Sequence, residues 1–141
     1  MTDATVAADV LPGRASLVGI HSALSRAGGN VIVIAWDMPF VPVALLEELA
    51  TRLQRGGTAV IPSGLRGPEP VCAAYAASAL PHLERLVRSD ALKLSALVDE
   101  LPNVVRIPRA EVAKFGNPGV IFFNVNSPED RNRAEEIARA L

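Results

Sequence analysis

The sequence contains a single cysteine, Cys72, which excludes both a disulfide framework and a cysteine cluster with the spacing of a zinc site. The apolar surroundings of this residue in "VCAAY" favour a core position over a reactive thiol. The only two histidines, His21 and His82, fall in no motif. We therefore expect both histidines at ordinary surface positions.

Long apolar runs and a dominant charge are also missing. No apolar run approaches the roughly 20 residues that span a bilayer, and the start of the chain, "MTDATVAADV", lacks a basic region followed by an apolar core. The formal net charge is -1, and acidic and basic residues are mixed along the chain, so no surface for nucleic acid or an anionic membrane is indicated. These absences predict a cytoplasmic protein that binds neither nucleic acid nor a membrane.

Phosphate-loop sequences are absent as well: the chain has no G-x-G-x-x-G and no Walker sequence. The segments "AGGN" at 27–30 and "RGGT" at 55–58 each follow a predicted helix and precede a predicted strand. A phosphate-binding turn has the opposite order, so we interpret both as helix terminators. A third glycine-rich segment, "PSGLRGPEP" at 62–70, is either a plain connection between strands or a flap over a crevice.

What the chain does contain is a regular alternation of apolar runs and helical patterns. Its 141 residues, 50% of them hydrophobic, have the size of one globular domain with a real core. The runs are continuous, as expected of strands covered on both faces, and lie at 30–35, 58–61, 71–75, 104–107 and 120–125. Helical patterns cover 16–27, 45–53 after Pro42, 80–87, 94–101 and a segment that begins at "SPED", where Ser127 and Asp130 can form a capping box. The alternation predicts an α/β fold: a doubly wound, largely parallel sheet with helices on both faces.

The stretch "VIVIAWDMPF" at 31–40 ends its apolar run on one carboxylate, Asp37. In an open parallel sheet, ligands bind in the crevice beyond the carboxyl ends of the strands, so a residue just past a strand end is directed into that crevice. A lone carboxylate there suits Mg2+, which takes few protein carboxylates and completes its coordination with water and substrate phosphates. The alternative is an Asp that hydrogen-bonds its own turn. Spacing alone leaves both interpretations open.

A pair of amides follows the last predicted strand. In "FFNVNSPED" at 122–130, Asn124 and Asn126 are two positions apart, so both side chains can point to one side of an extended segment. Paired amides can read the donor and acceptor groups of a heterocycle. They can equally serve in turns and helix caps, which Asn often does.

Three segments, "VIVIAWDMPFVPVALLEEL", "PVCAAY" and "FFNVNSPED", resemble the molybdenum cofactor guanylyltransferases and their MobA-like nucleotidyltransferase relatives, in the same order and at similar separations. An earlier segment, "ADVLPGRASLVGIHSAL", is similar to the family segment in which an Asp is followed by a Gly-Pro-Leu-x-Gly turn and a helix. Asp9, Leu17 and Gly19 match that segment, whereas Ala15 and Ser16 stand where Gly-Pro is usual. The resemblance covers nearly the whole chain.

The resemblance implies a doubly wound α/β sandwich of the nucleotide-diphospho-sugar transferase type. It also implies transfer of GMP from GTP to the terminal phosphate of molybdopterin, with release of pyrophosphate. Asp37 would be the catalytic residue that holds Mg2+, and Asp9 and Asp37 would bind the nucleotide. Asn124 and Asn126 would line the pterin side of the crevice.

One family element is not found in these residues: the opening strand and glycine-rich loop, L-A-G-G-x-S-x-R-M-G followed by a Lys. We therefore expect residues 1–141 to form one MobA-like domain without its first strand and phosphate loop. Without that strand, an apolar gap or edge of the sheet should be exposed, and we expect self-association or a partner chain to cover it. Three functions stay open: the guanylyltransferase, a related nucleotidyltransferase with another base or acceptor, and a non-catalytic remnant that only binds a ligand or partner.

Overall fold

The computed structural model describes residues 5–7, 14–89 and 94–141. Its strands are β1 Thr5–Ala7, β2 Val31–Ile34, β3 Ala59–Gly64, β4 Gly67–Pro68, β5 Cys72–Tyr75 and β6 Val104–Ile107. Its α-helices are α1 Arg14–Ala27, α2 Val43–Gln54, α3 Leu80–Arg88, α4 Ser95–Glu100, α5 Arg109–Val112, α6 Pro118–Ile121 and α7 Pro128–Ala140. A short 3-10 helix, Ala77–Ala79, leads into α3. Among the helices of these described ranges, none combines the length and the apolar character that crossing a membrane requires.

The strands form one mixed sheet. β1 pairs with β2 in parallel, and β3 pairs with β6 in parallel. Between these two pairs lies β5, which is antiparallel to both β2 and β3. β1, β2, β3 and β6 therefore all run in the same direction, which agrees with the predicted fold class. The reversed direction of β5 follows from the tight β3–β4 hairpin, which returns the chain alongside β3.

Helices cover both faces of the sheet, and each face has its own apolar core. One core lies against α1, α3 and α4, and the other lies against α2, α5 and α6. Along β2, Val31 and Val33 belong to the first core, whereas Ile32 belongs to the second. Successive side chains of a strand point to opposite faces, so a strand buried on both faces must be continuously apolar. Each such side chain contributes roughly 1.5–3 kcal/mol of burial free energy.

The predicted terminators and the predicted core cysteine are confirmed. Gly28 ends α1 with φ of 65°, a left-handed conformation that glycine adopts without strain. Gly57 follows α2 with φ of 98°, and a Cβ added there would lie 2.7 Å from the main-chain oxygen of Asn103. Cys72 is fully buried, and burial raises the pKa of its thiol to about 12, so it is an unreactive core residue.

The strand predicted at 120–125 is wrong, because the structure places one helical turn and an irregular segment there. Asn117 accepts a hydrogen bond from the N–H of Gly119 at 2.8 Å, and Pro118 occupies the first turn, so α6 begins just before the expected strand and extends into it. Ile121 and Phe122 are buried in the second core. A short apolar run does not distinguish a buried strand from a buried helical turn.

The two histidines are half-buried. His21 of α1 places its Nε2 atom 3.5 Å from Oε1 of Glu84 in α3, so it contributes to the contact between these helices. His82 places Nδ1 3.4 Å from a guanidinium nitrogen of Arg85. Neither histidine lines the cleft described next.

Candidate functional site

A cleft of about 320 Å3 lies between the β3–β4 hairpin and the segment that joins α6 to α7. The hairpin side of the cleft consists of Leu65, Arg66 and Glu69. The opposite side consists of Pro118, Gly119, Phe122, Phe123, Asn124, Asn126 and Asp130. The volume is at the lower end of the range of roughly 300–1,000 Å3 that is typical of ligand pockets. The glycine-rich segment at 62–70 is thus a structured wall of a cleft and more than a plain connection.

Asp37 lies in the turn directly after β2. The turn is closed by a hydrogen bond from the N–H of Met38 to the oxygen of Ala35 at 3.1 Å, and Met38 is buried in the second core. The half-buried carboxylate of Asp37 makes no hydrogen bond or ion pair with the part of the chain that the structure describes. The turn is therefore held by the main chain and Met38, and the carboxylate is free for another contact.

The main chain joins this turn to the amide pair. Val125 donates its N–H to the oxygen of Asp37 at 2.9 Å. Asn124 and Asn126 flank Val125, are exposed, and both line the cleft. Asp37 is not among the residues that line the cleft itself, so it borders the site through Val125.

Asn124 and Asn126 do not cap α7 with their side chains. Ser127 Oγ accepts the N–H of Asp130 at 3.1 Å, and Asp130 Oδ2 accepts the main-chain N–H of Asn126 at 3.1 Å. This arrangement confirms Ser127 as the cap of α7, whereas Asp130 accepts from Asn126, one residue before the N–H of Ser127 that a capping box would use. The side-chain amides of Asn124 and Asn126 make no hydrogen bond within the described residues, which leaves their donors and acceptors available in the cleft.

Glu69 is a cleft residue that the sequence patterns did not indicate. Burial raises the pKa of the Glu69 carboxyl from 4.5 to about 7, and the positive charge of Arg66 only partly opposes this shift. Arg66 is the one cationic side chain among the described residues that line the cleft. The available signal was a charged residue placed between two prolines, in "GPEP", within a segment already considered as a flap.

The remaining predicted site residue, Asp9, lies outside the described residues. A metal site built from protein ligands alone is not found either: within residues 5–7, 14–89 and 94–141, no group of three or more His, Cys, Asp or Glu side chains is placed to hold an ion. Asp37, a single half-buried carboxylate with no partner among the described residues, fits the other common arrangement, in which Mg2+ is held jointly by one carboxylate and the phosphates of a substrate.

Comparison with known proteins identifies the family. Residues 1–104, about three quarters of the chain, match the model of the MobA-like NTP transferase domain. The chain belongs to the MobA-like NTP transferase family. Among curated relatives, it is 30% identical over 139 residues to the molybdenum cofactor guanylyltransferase of Desulfosudis oleivorans, covering 98% of this chain and 68% of that protein. The protein of the same name from Rhizobium leguminosarum is 29% identical over 151 residues, covering 99% of this chain and 69% of the relative.

A solved member of this family supports the fold. The molybdopterin-guanine dinucleotide biosynthesis protein A of Archaeoglobus fulgidus superimposes with a TM-score of 0.78 at 40% identity, covering 89% of this chain and 64% of that one. The MobA-like domain described here therefore spans about two thirds of the length of the relatives that it matches.

Proposed function

We propose that this MobA-like chain is a nucleotidyltransferase of molybdenum cofactor biosynthesis that transfers GMP from GTP to the terminal phosphate of molybdopterin. The observation that carries the proposal is the main-chain hydrogen bond from Val125 to Asp37. This bond supports the proposal because it ties the turn that carries Asp37 to the segment that carries two amides of the cleft. The names of the curated relatives favour this transferase over a remnant that only binds.

The reaction needs positioning more than a protein nucleophile. A phosphate oxygen of molybdopterin attacks the α-phosphorus of GTP, the bond from that phosphorus to the bridging oxygen breaks, and pyrophosphate leaves with the electron pair. In this proposal, Asp37 holds Mg2+, which when bound neutralises charge on the phosphates. Asn124 and Asn126 orient the pterin at the cleft, and the role of binding the nucleotide at Asp9 is the one that the family resemblance implies.

A second candidate is a nucleotidyltransferase that uses another base or another acceptor phosphate. This candidate has the support of the family match, because the MobA-like NTP transferase family is named for nucleoside triphosphates in general and not for GTP. A competition panel of GTP, ATP, CTP and UTP separates the two candidates. The guanylyltransferase requires that only GTP competes well.

Transfer itself is tested with GTP labelled at the α-phosphate, Mg2+ and molybdopterin. The proposal predicts a labelled guanine dinucleotide product and pyrophosphate, with loss of product when EDTA is added or Asp37 is changed to Asn. Glu47→Gln on the exposed face of α2 is the matched control for removing one carboxylate. A labelled product that forms equally with Asp37→Asn would contradict the role of Asp37. The cytoplasmic location and an association with a second chain stay predictions.

A further inference from the structure

Two carboxylates line the cleft, and they differ in their partners. Asp130 is engaged, because Oδ2 accepts the N–H of Asn126 at 3.1 Å. Glu69 has no side-chain hydrogen bond and no ion pair within 4.0 Å among the residues that the structure describes. The positive charge of Arg66 acts on the Glu69 carboxyl only at a distance, and it lowers the pKa of that carboxyl. Glu69 is therefore the carboxylate in the cleft whose acceptors remain unused.

The position of Glu69 is fixed by the neighbouring strands. Its N–H donates to the oxygen of Pro62 in β3 at 2.8 Å, and its own oxygen accepts the N–H of Cys72 in β5 at 3.1 Å. Gly64 has no side chain, and the Glu69 carboxylate lies close to it. A Cβ added at Gly64 would be 3.1 Å from Glu69 Oε1 and 2.7 Å from Phe122 Cδ2. The two strands thus fix the main chain of Glu69, and Gly64 leaves space for its side chain in the cleft wall.

Burial partly desolvates the Glu69 carboxyl, and desolvation without a hydrogen-bonded partner is costly. Proteins accept such a cost at sites where a ligand later supplies the missing donors. The two oxygens of a carboxylate match two parallel N–H donors on one edge of a planar group, as in a carboxylate–guanidinium pair. The half-buried aromatic side chain of Phe123 also lines the cleft.

We propose that Glu69 accepts hydrogen bonds from the 2-amino group and the adjacent ring N–H of a 2-amino-4-oxopyrimidine ring that binds in the cleft. The amides of Asn124 and Asn126, on the opposite wall, supply donors for the oxo side of the same ring. This inference rests on the proposed function, since the pterin of molybdopterin and the guanine of GTP both carry this edge. Glu69 would then be a specificity-determining residue for the substrate ring.

Two pairs of probes separate the two sources of that edge. Pterin and lumazine differ at position 2, where lumazine has an oxo group in place of the amino group; GTP and ITP differ by the same amino group. Affinities are measured by calorimetry for the wild-type chain, for Glu69→Gln, and for the control Glu47→Gln. Thermal unfolding establishes that each variant is folded, and Glu69→Asp, which keeps the charge on a shorter side chain, is the conservative variant.

The proposal predicts that the wild-type chain prefers the amino-bearing probe of one pair by about tenfold or more. Glu69→Gln should abolish that preference, because its amide offers a donor where an acceptor is needed, while Glu69→Asp keeps part of it and Glu47→Gln keeps all of it. If Glu69→Gln loses the preference for pterin over lumazine, the cleft binds the pterin. If it loses the preference for GTP over ITP, the cleft binds guanine.

An unchanged preference of Glu69→Gln in both pairs overturns the proposal, as does the absence of binding of all four probes to the wild-type chain. Failure of the proposed function is distinguishable from either result. If the chain discriminates the probes through Glu69 but forms no dinucleotide product, this inference is supported and the proposed transferase function is contradicted. A chain that forms the product while Glu69→Gln discriminates normally does the reverse.

Discussion

The main-chain N–H of Val125 donates to the main-chain oxygen of Asp37 at 2.9 Å. This bond ties the turn that ends β2 to the segment between α6 and α7. Asn124 and Asn126 flank Val125 and line the cleft, so the bond ties the segment that carries both amides to the turn that carries Asp37. A single such bond contributes only about 0.5–1.5 kcal/mol to stability. Its main consequence is geometric, because it joins two parts of one site that are far apart in the sequence.

Asp37→Asn should leave the fold nearly unchanged. The carboxylate makes no hydrogen bond or ion pair with the described residues, and Asn keeps the size of the side chain. We expect the free energy of unfolding in urea to change by less than about 0.5 kcal/mol. A loss of more than about 2 kcal/mol would instead assign the carboxylate to holding its turn.

Gly64→Ala should destabilise the chain and disturb the cleft. The added Cβ would lie 2.7 Å from Phe122 Cδ2, so the buried ring must move. Such overpacking costs about 1–3 kcal/mol of unfolding free energy. Gly29→Ala is the matched control, since a Cβ there meets nothing within 4 Å. Equal unfolding free energies for the two variants would contradict the packing of Phe122 against Gly64.

Glu69→Gln should gain stability relative to wild type as the pH rises. Because burial raises the pKa of the folded Glu69 carboxyl from 4.5 to about 7, the folded chain binds this proton more readily than the unfolded chain. Protonated Glu69 therefore stabilises the folded wild-type protein, and this stabilisation is lost between about pH 4.5 and about pH 7, whereas Gln cannot ionise. The Tm difference between variant and wild type should increase across that window. A difference that stays constant would mean that Glu69 is fully solvated.

Ser127→Ala should loosen the start of α7. Ser127 Oγ accepts the N–H of Asp130 at 3.1 Å, and loss of such a cap costs about 1 kcal/mol. Because α7 has no buried residues, the loss should appear locally, as roughly fivefold faster hydrogen exchange in its first turn. Ser127→Thr should keep most of the protection, and Ser78→Ala, at an exposed serine, is the control. Unchanged exchange after Ser127→Ala would contradict the cap.

Local signals in the sequence predicted the elements that local chemistry determines. The Ser127 cap of α7 and the glycine that ends α1 follow from side-chain and backbone preferences at those residues. The two-sided apolar run predicted β2 for the same reason, since both cores need it. The turn with Asp37 came directly after that strand, as expected.

Other features depend on distant packing that the sequence does not display. The run at 120–125 is apolar because Ile121 and Phe122 fill the second core, and a helical turn meets that need as well as a strand would. Glu69 acquires its unusual environment from burial that the tertiary fold imposes beside Gly64 of β3. The contact between Asp37 and Val125 is likewise a product of the tertiary fold.

The measurement that tests the central claim most directly is calorimetric titration of the chain with GTP, in the presence and absence of Mg2+, repeated with Asp37→Asn and with Glu47→Gln. The account predicts GTP binding that requires Mg2+, survives Glu47→Gln, and is weakened by about tenfold or more in Asp37→Asn. Magnesium-dependent binding of equal strength to Asp37→Asn and to wild type would contradict it.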